Sequence, residues 1–447
     1  MAVDESALRA HLEAAQAALV TAQREIDAGL SLLEDDAILV QPGDNLLDVI
    51  EQAPAGSIIA IDPAYCADLG YWTVGKPLTL TTNGLLPVER VTADHLGPTL
   101  RGWLTLRAPD VALHGLRLEV PSRDGTAIAA GPSSLIDRCV VLGSSEGGHR
   151  GISVNAPDIR VSKCHVANWW RDVDTQALCG WMHTSNLLVE DCYLEASGEN
   201  VLFGGADGPD EGSIPQDILV TDCTISKPLA WMGKSGATIK NLFELKNAKR
   251  ATLRRCTLEH VWVQGQAGYA IVLTVRNQEG TNPWATIEDC VVEDCLITDM
   301  AGGLQILGRD DGAGGPSAVM RGMTIRRNRF ERIEPAVYGT NGRQCFISGG
   351  PLELWIEDNV WSGGAYLNSA LSFDWPEAPL EGFVYTGNVA HEGSYGIFGT
   401  SAPGLGVAAL EYYCPSGYSW ARNTIVDDGP AWITYPPGTT VVPPEAR

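Results

Sequence analysis

The sequence predicts an all-β solenoid entered through an α-helical coiled-coil segment, and three observations predict it. Short strand-like segments with Cys or Asn in one fixed slot recur along the chain. Glycine makes up 49 of 447 residues, well above the share of about 7% in ordinary soluble proteins, which calls for many tight turns. Residues 1–35 follow a helical period instead, so they form a separate element.

Charge narrows the function classes first. Lys and Arg number 31 against 55 Asp and Glu, a formal net charge of −24. That field repels phosphate backbones and anionic lipid, so nucleic acid is a poor partner. No apolar run reaches the length of about eighteen residues that spans a bilayer, so no membrane insertion is expected. The opening MAVDESALRAHLEAAQ carries acids and no apolar stretch. The reading is therefore no secretory signal, and eleven reduced cysteines in a cytoplasm.

The elements follow in chain order. In residues 1–35, Leu8, Leu12, Ala15, Leu19, Ala22 and Ile26 are spaced 4, 3, 4, 3 and 4 apart, a heptad stripe. A narrow stripe on an otherwise polar helix wants partner helices, so two or three copies side by side are expected. A helix lying on its own chain is the alternative. Residues 36–63 read as a linker and a short capping helix. Asp44 or Asn45 is the N-cap, Leu46, Leu47 and Ile50 are the apolar face, Pro54 and Gly56 stop it, and Ser57 to Ile61 is a strand.

Residues 64–425 carry the repeat. DRCVV, SKCHV, EDCYL, TDCTI, RRCTL and EDCVV place Cys139, Cys164, Cys192, Cys223, Cys256 and Cys290 in equivalent slots, at steps of 25, 28, 31, 33 and 34. RRNRF, EDNVW, TGNVA and ARNTI continue the slot with Asn328, Asn359, Asn388 and Asn423, at steps of 38, 31, 29 and 35. Periods of this size mark a solenoid, and their variability argues against leucine-rich repeats. Residues 426–447, rich in paired prolines, read as an extended tail.

These segments resemble the right-handed parallel β-helix of the pectate-lyase-like superfamily. The resemblance implies long parallel sheets and an inward ladder in which Asn stacks by hydrogen bonds and small Cys side chains fill the same slot. The capping helix is similar to the one that closes the first coil of many such proteins. From GGAD (204–207) through KPLAW, NLFELKNA, QAGYAIVLTVRNQEGTNPWA and ILGRDD (306–311), residues 198–311 resemble a group of bacterial β-helix-repeat proteins without a settled activity. The calcium-binding Asp clusters of true pectate lyases are not evident, so no metal or other cofactor is expected.

The site is sought in an outward column with unusual chemistry. Aligning Phe203, Phe243, Leu273 and Ile306 as inward residues makes the intervening positions outward by the period of two. The outward column then reads Asn155, His183, Ala206, Lys246, Arg276, Arg309 and Gly349, with Asp207, Asn247, Asn277 and Asp310 one residue on. Three cations stacked about 4.8 Å apart repel one another, which suggests a ligand. The plain alternative is a surface ladder paired with Glu244, Asp207 and Asp310. Segments 208–216 and 311–319 are expected as lips over the groove. Trp231, Trp262 and Trp284 are candidates for sugar stacking, though each singly more often fills a core or corner.

A helical trimerising stripe and a β-helix without an export signal resemble bacteriophage tailspikes. That resemblance implies a homotrimer, made in the host cytoplasm and mounted on the virion tail through residues 1–35. It also implies a host cell-surface polysaccharide as partner and substrate. Catalysis is assigned to Asp207, Glu244, Asp310 and His183, with Asp311 a further carboxylate. Binding is assigned to Lys246, Arg276, Arg309, Asn247, Asn277 and Trp231. Hydrolysis by one protonated and one ionised carboxylate is favoured, because the resemblance to tailspikes implies it and Glu244 and Asp207 border the cations; in a lyase reaction Lys246 or Arg276 would act beside a uronate. Rival readings are a non-catalytic virion spike and a free carbohydrate-active enzyme.

Overall fold

The computed structural model describes residues 37–310, 312, 315–400, 404–427 and 433–444. The heptad stripe of residues 1–35, and with it the trimer expectation, lies outside the described residues.

The first described helix, α1 (Leu46–Gln52), forms where the sequence places it. The Asn45 side chain accepts the Leu47 and Asp48 amides, satisfying donors that a helix start leaves open. Leu46 and Ile50 are buried beneath it and close the end of the core. The Leu46 amide donates to the Tyr65 hydroxyl, which donates to the Asp44 carbonyl, and this pins α1 to the first coils.

Beyond α1 the chain winds through three strand columns in which every named strand pairing is parallel. The first sheet starts at Ile38–Val40, passes through Ile58–Ile61 and Thr79–Thr82, and ends at Tyr418–Ala421. The second runs from Arg117–Glu119 through Val140–Leu142 and Thr224–Ser226 to Thr424–Val426. The third runs from Thr126–Ala129 through Gln176–Gly180, Val201–Phe203 and Phe243–Leu245 to Ile397–Gly399. The long strand Thr99–Leu106 pairs with both of the latter and joins them at the N-terminal end. Inward Leu, Ile, Val and Phe from all three fill one continuous core. The stack overruns the 64–425 span at both ends, because Ile38–Val40 is its first rung and Thr440–Val442 in the tail pairs with Thr424–Val426.

The ladder stands at the turn between the first and second sheets. Cys139, Cys164 and Cys192 each donate their own amide to the next sulfur, at 3.4–3.5 Å, and Cys223 continues the column. Asn328, Asn359, Asn388 and Asn423 follow, each amide donating to the next Asn side chain at 2.9–3.0 Å. All these cysteines are free thiols. The residue before each slot is left-handed: Arg138, Lys163, Asp191, Asp222, Arg255, Arg327, Asp358, Gly387 and Arg422 all have φ between +47° and +69°. Such a conformation costs a non-glycine residue about 1 kcal/mol or more. The buried hydrogen bonds of the ladder offset it.

Cys290 is a correction. The Cys256 amide meets the Cys295 sulfur, 39 residues on, and the Cys295 amide then meets Asn328 Oδ1 at 3.0 Å. Cys290 instead receives the Ala251 amide, in the neighbouring column of Ile218 and Ala251. Asp289 and Asp294 are both left-handed, so two corners of one coil carry the same Glu-Asp-Cys spelling.

Candidate functional site

The third sheet determines which side chains can meet. Its register pairs Phe203 with Leu245, Leu245 with Leu273, and Leu273 with Ile306. The sequence alignment, which matched Phe203 to Phe243, was slipped by two residues. A slip of two leaves every side chain on its own face, so the hydrophobic pattern does not detect it. The expected stack of Lys246, Arg276 and Arg309 is therefore not formed. The paired register ends at Leu245 and Leu273, just before Lys246, whose carbonyl accepts the Arg276 amide, and Arg309 lies beyond the end of its own strand.

Beyond the strand ends, most of the expected residues hold loops. Asp207 accepts the amides of Gln278, Glu279 and Thr281 at 2.9–3.0 Å, and also the Thr281 hydroxyl. Asp310 accepts the Asn277 and Gly312 amides and pairs with Arg276 Nη1 at 3.4 Å. Arg309 donates to the carbonyls of Gly349 and Gly350. Asn277 spans its own turn, accepting the Asn282 amide and donating to the Pro316 carbonyl. Asn247 is buried, and neither of its amide atoms has a partner, so it faces the interior and not a groove. Trp231 is 6% exposed and packs with Trp262 and Tyr338 in a satellite core, so it offers no sugar platform. His183 is exposed in a left-handed turn, its amide bonded to the Ser213 carbonyl. Asp311 lies outside the described residues.

Glu244 and Lys246 belong to a different constellation. Glu244 points outward between the core residues Phe243 and Leu245, yet is only 2% exposed. On the preceding coil, Glu199 stands just before Val201, the strand partner of Phe243, and is 0% exposed. Glu199 accepts Lys240 Nζ at 3.0 Å and Gln176 Nε2 at 2.8 Å. Lys240 also reaches Asp174 at 2.6 Å, and Asn241 Nδ2 donates to both Glu244 and Gln266. Arg150 Nε donates to Gln176 Oε1, and the Arg150 guanidinium lies 4.8 Å over the Trp181 ring. The outcome is a polar row from Arg150 to Glu244, crossing successive coils.

Burial pushes the Glu244 carboxyl above the usual range, and the Glu199 carboxylate adds to this, while Lys246 and Lys240 pull it back. Lys240 is raised, its carboxylate partners outweighing the cost of burial. His149, beside Arg150, falls to about 4 through burial and the Arg150 and Arg171 charges, so it is neutral near pH 7. Lys246 has no ion-pair partner among the described residues. Gly205 makes room for it, since a Cβ there would approach Lys246 Cδ to 2.8 Å. The arrangement presents one carboxyl that holds its proton more tightly than usual beside one held by a cation, with a neutral imidazole and an amine outside any ion pair nearby. No cluster of metal-ligating side chains exists among the described residues.

Sequence reasoning missed Glu199, Lys240, Gln176, Arg150, Asp174 and His149. One signal was present: Glu199-Asn200 and Lys240-Asn241 each set a charged residue and an Asn just before a strand.

No family model matches the chain, and no curated protein sequence matches it. Among solved structures, the PL6 family alginate lyase AlyGC is similar at TM-score 0.51 and 12% identity, over 91% of this chain and 53% of that one. The catalytic domain of a GH87 alpha-1,3-glucanase in complex with nigerose is similar at TM-score 0.50 and 11% identity, over 92% and 68%. The Dettilon tailspike protein matches at 0.47 and 12%, over 90% and 68%. At these identities the likeness is one of fold, the right-handed parallel β-helix.

Proposed function

We propose that this protein binds a polysaccharide along the outer face of the third sheet and hydrolyses it at the Glu199–Glu244 row. One observation carries the reading: two carboxyls on adjacent coils are given opposite environments. Glu244 is disposed to hold a proton, whereas Glu199 is held by Lys240. Glycoside cleavage needs such a pair, an acid for the leaving oxygen and a carboxylate for water or the sugar carbon. Both carboxyls are almost sealed, so substrate enters at the half-buried rim of Arg150, Trp181 and Lys246. Lys246 must swing off Gly205 to expose Glu244. Solved proteins of this fold that cleave glycan chains are consistent with the class of substrate.

A second reading rests on Lys246. An unpaired amine beside a carboxyl suits proton abstraction next to a uronate, which is lyase chemistry. Incubation with acidic and neutral polysaccharides separates the two. New reducing ends without the unsaturated-uronate absorbance support hydrolysis, that absorbance supports the lyase, and neither product defeats both. The tailspike setting, with a homotrimer assembled through Leu8–Ile26, stays part of the proposal. A monomer by light scattering overturns it.

A further inference from the structure

The third sheet holds a recess that spans the first to the third coil beyond Glu244. Tyr269, Gly302 and Arg343 are the first residues of successive strands, at the same corner where Arg150 and Gln176 begin theirs. Gly302 lies between the other two and leaves a gap, for a Cβ on it would come within 2.5 Å of Asn341 Nδ2 and 3.1 Å of Tyr269 Cδ1. A cleft of about 260 Å³ opens there, lined by Tyr269, Thr340, Asn341, Arg343 and Asn368 among others.

Asn341 is spent on the Ala267 carbonyl and the Arg343 amide, which leaves Tyr269 and Arg343 as the groups for a ligand. Tyr269 is 4% exposed, and its buried hydroxyl has no well-aligned hydrogen-bond partner, only the Arg343 and Asn341 side chains close by. A hydroxyl withdrawn from water in this way is costly unless something fills the cleft. The Arg343 guanidinium lies 4.9 Å over the Phe346 ring and has no carboxylate partner among the described residues. In a chain of net charge −24, most other arginines of this solenoid have found an acid, such as Arg255 with Asp222 and Arg327 with Asp294. Phe346 in turn stacks on Tyr269 at 6.3 Å, so the aromatic pair holds the cation at the cleft.

We infer that this cleft is a subsite for an acidic sugar unit, with Arg343 binding its carboxylate and the Tyr269 hydroxyl a ring oxygen or hydroxyl. The inference rests on the proposed polysaccharide reading and adds the chemistry of one unit. At about 4.8 Å per coil, the cleft spans roughly 5–14 Å beyond Glu244 along the stack, so a chain on this face reaches both. A guanidinium takes a carboxylate through paired charge-assisted hydrogen bonds, and a stacked, partly desolvated one does so best.

The test is calorimetric binding of a uronic-acid oligosaccharide, its carboxyl-reduced neutral counterpart and a sulfated oligosaccharide. All are measured on Glu244→Gln protein, to stop turnover. The uronate form should bind about tenfold more tightly than the neutral one. Arg343→Met, which keeps the packing on Phe346, should erase that preference, and Tyr269→Phe should weaken binding severalfold without lowering the melting temperature. Equal binding of the charged and neutral forms, or a preference that survives Arg343→Met, overturns the inference. So does a preference for sulfate over carboxylate. A charge preference without cleavage by the parent protein would leave this subsite standing and sink the hydrolase. Cleavage without the preference does the reverse.

Discussion

Two carboxylate clusters flank the third sheet, and they differ in what their acids are bonded to. Asp207 and Asp310, beyond the strand ends, are satisfied by backbone amides, Asp207 by a loop two coils away and Asp310 by the adjacent coil and its own loop. Glu199 and Glu244 are bonded only to side chains, those of Lys240, Gln176 and Asn241. An acid that spends its lone pairs on amides fixes a loop. An acid in a side-chain network can exchange partners. The loop-borne cluster is thus architecture, and the strand-borne one is where chemistry remains possible.

The largest expected effect breaks that contrast directly. Glu244→Gln keeps an acceptor for Asn241 but removes the proton, so polysaccharide turnover should fall by about a hundredfold or more, with melting little changed. Retained turnover in a reducing-end assay would transfer catalysis elsewhere. Asp207→Ala should do the opposite. It strips three amides of their acceptor, costing about 1–3 kcal/mol of stability, while glycan affinity holds. Hydrogen exchange should rise first at Gln278, Glu279 and Thr281, and unchanged exchange there would return Asp207 to the site.

A pH series sharpens the comparison. The folded pKa of Glu244 lies above its unfolded value, so the folded chain binds its proton more tightly. Its contribution to stability is present below the ordinary glutamate range near 4.3 and lost as pH rises toward the raised value. Melting of the parent protein should therefore decline relative to Glu244→Gln between acid and neutral pH. Parallel curves would mean that Glu244 titrates normally. The smallest effect is expected at Arg276→Ala. Arg276 is 38% exposed and pairs with Asp310 at 3.4 Å, so about 0.5 kcal/mol or less should be lost, with glycan affinity unchanged. A marked loss of affinity would restore the basic column as a binding surface.

The helix cap at Asn45, the period of the coils and nine of the ten proposed ladder positions were legible in the sequence, because each is enforced locally. An Asn before an apolar pair caps a helix wherever it stands. A left-handed corner followed by a small inward side chain is spelled out in five residues. Cys290 was misread for the same reason, since two corners of one coil have identical spelling and only packing tells them apart.

Glu244 and Lys246 were legible as odd charges on a strand, but their partners were not. Glu199 lies 45 residues before Glu244 in the chain and meets it only because one coil carries a long insertion between them. The sequence by itself determined a coil, its inward faces and its corners, since period and turn chemistry act over a few residues. Tertiary structure alone decided the register between coils. A shift by two keeps every side chain on its own face, and only the close fit of neighbouring strands and loops selects which carboxylate faces which cation.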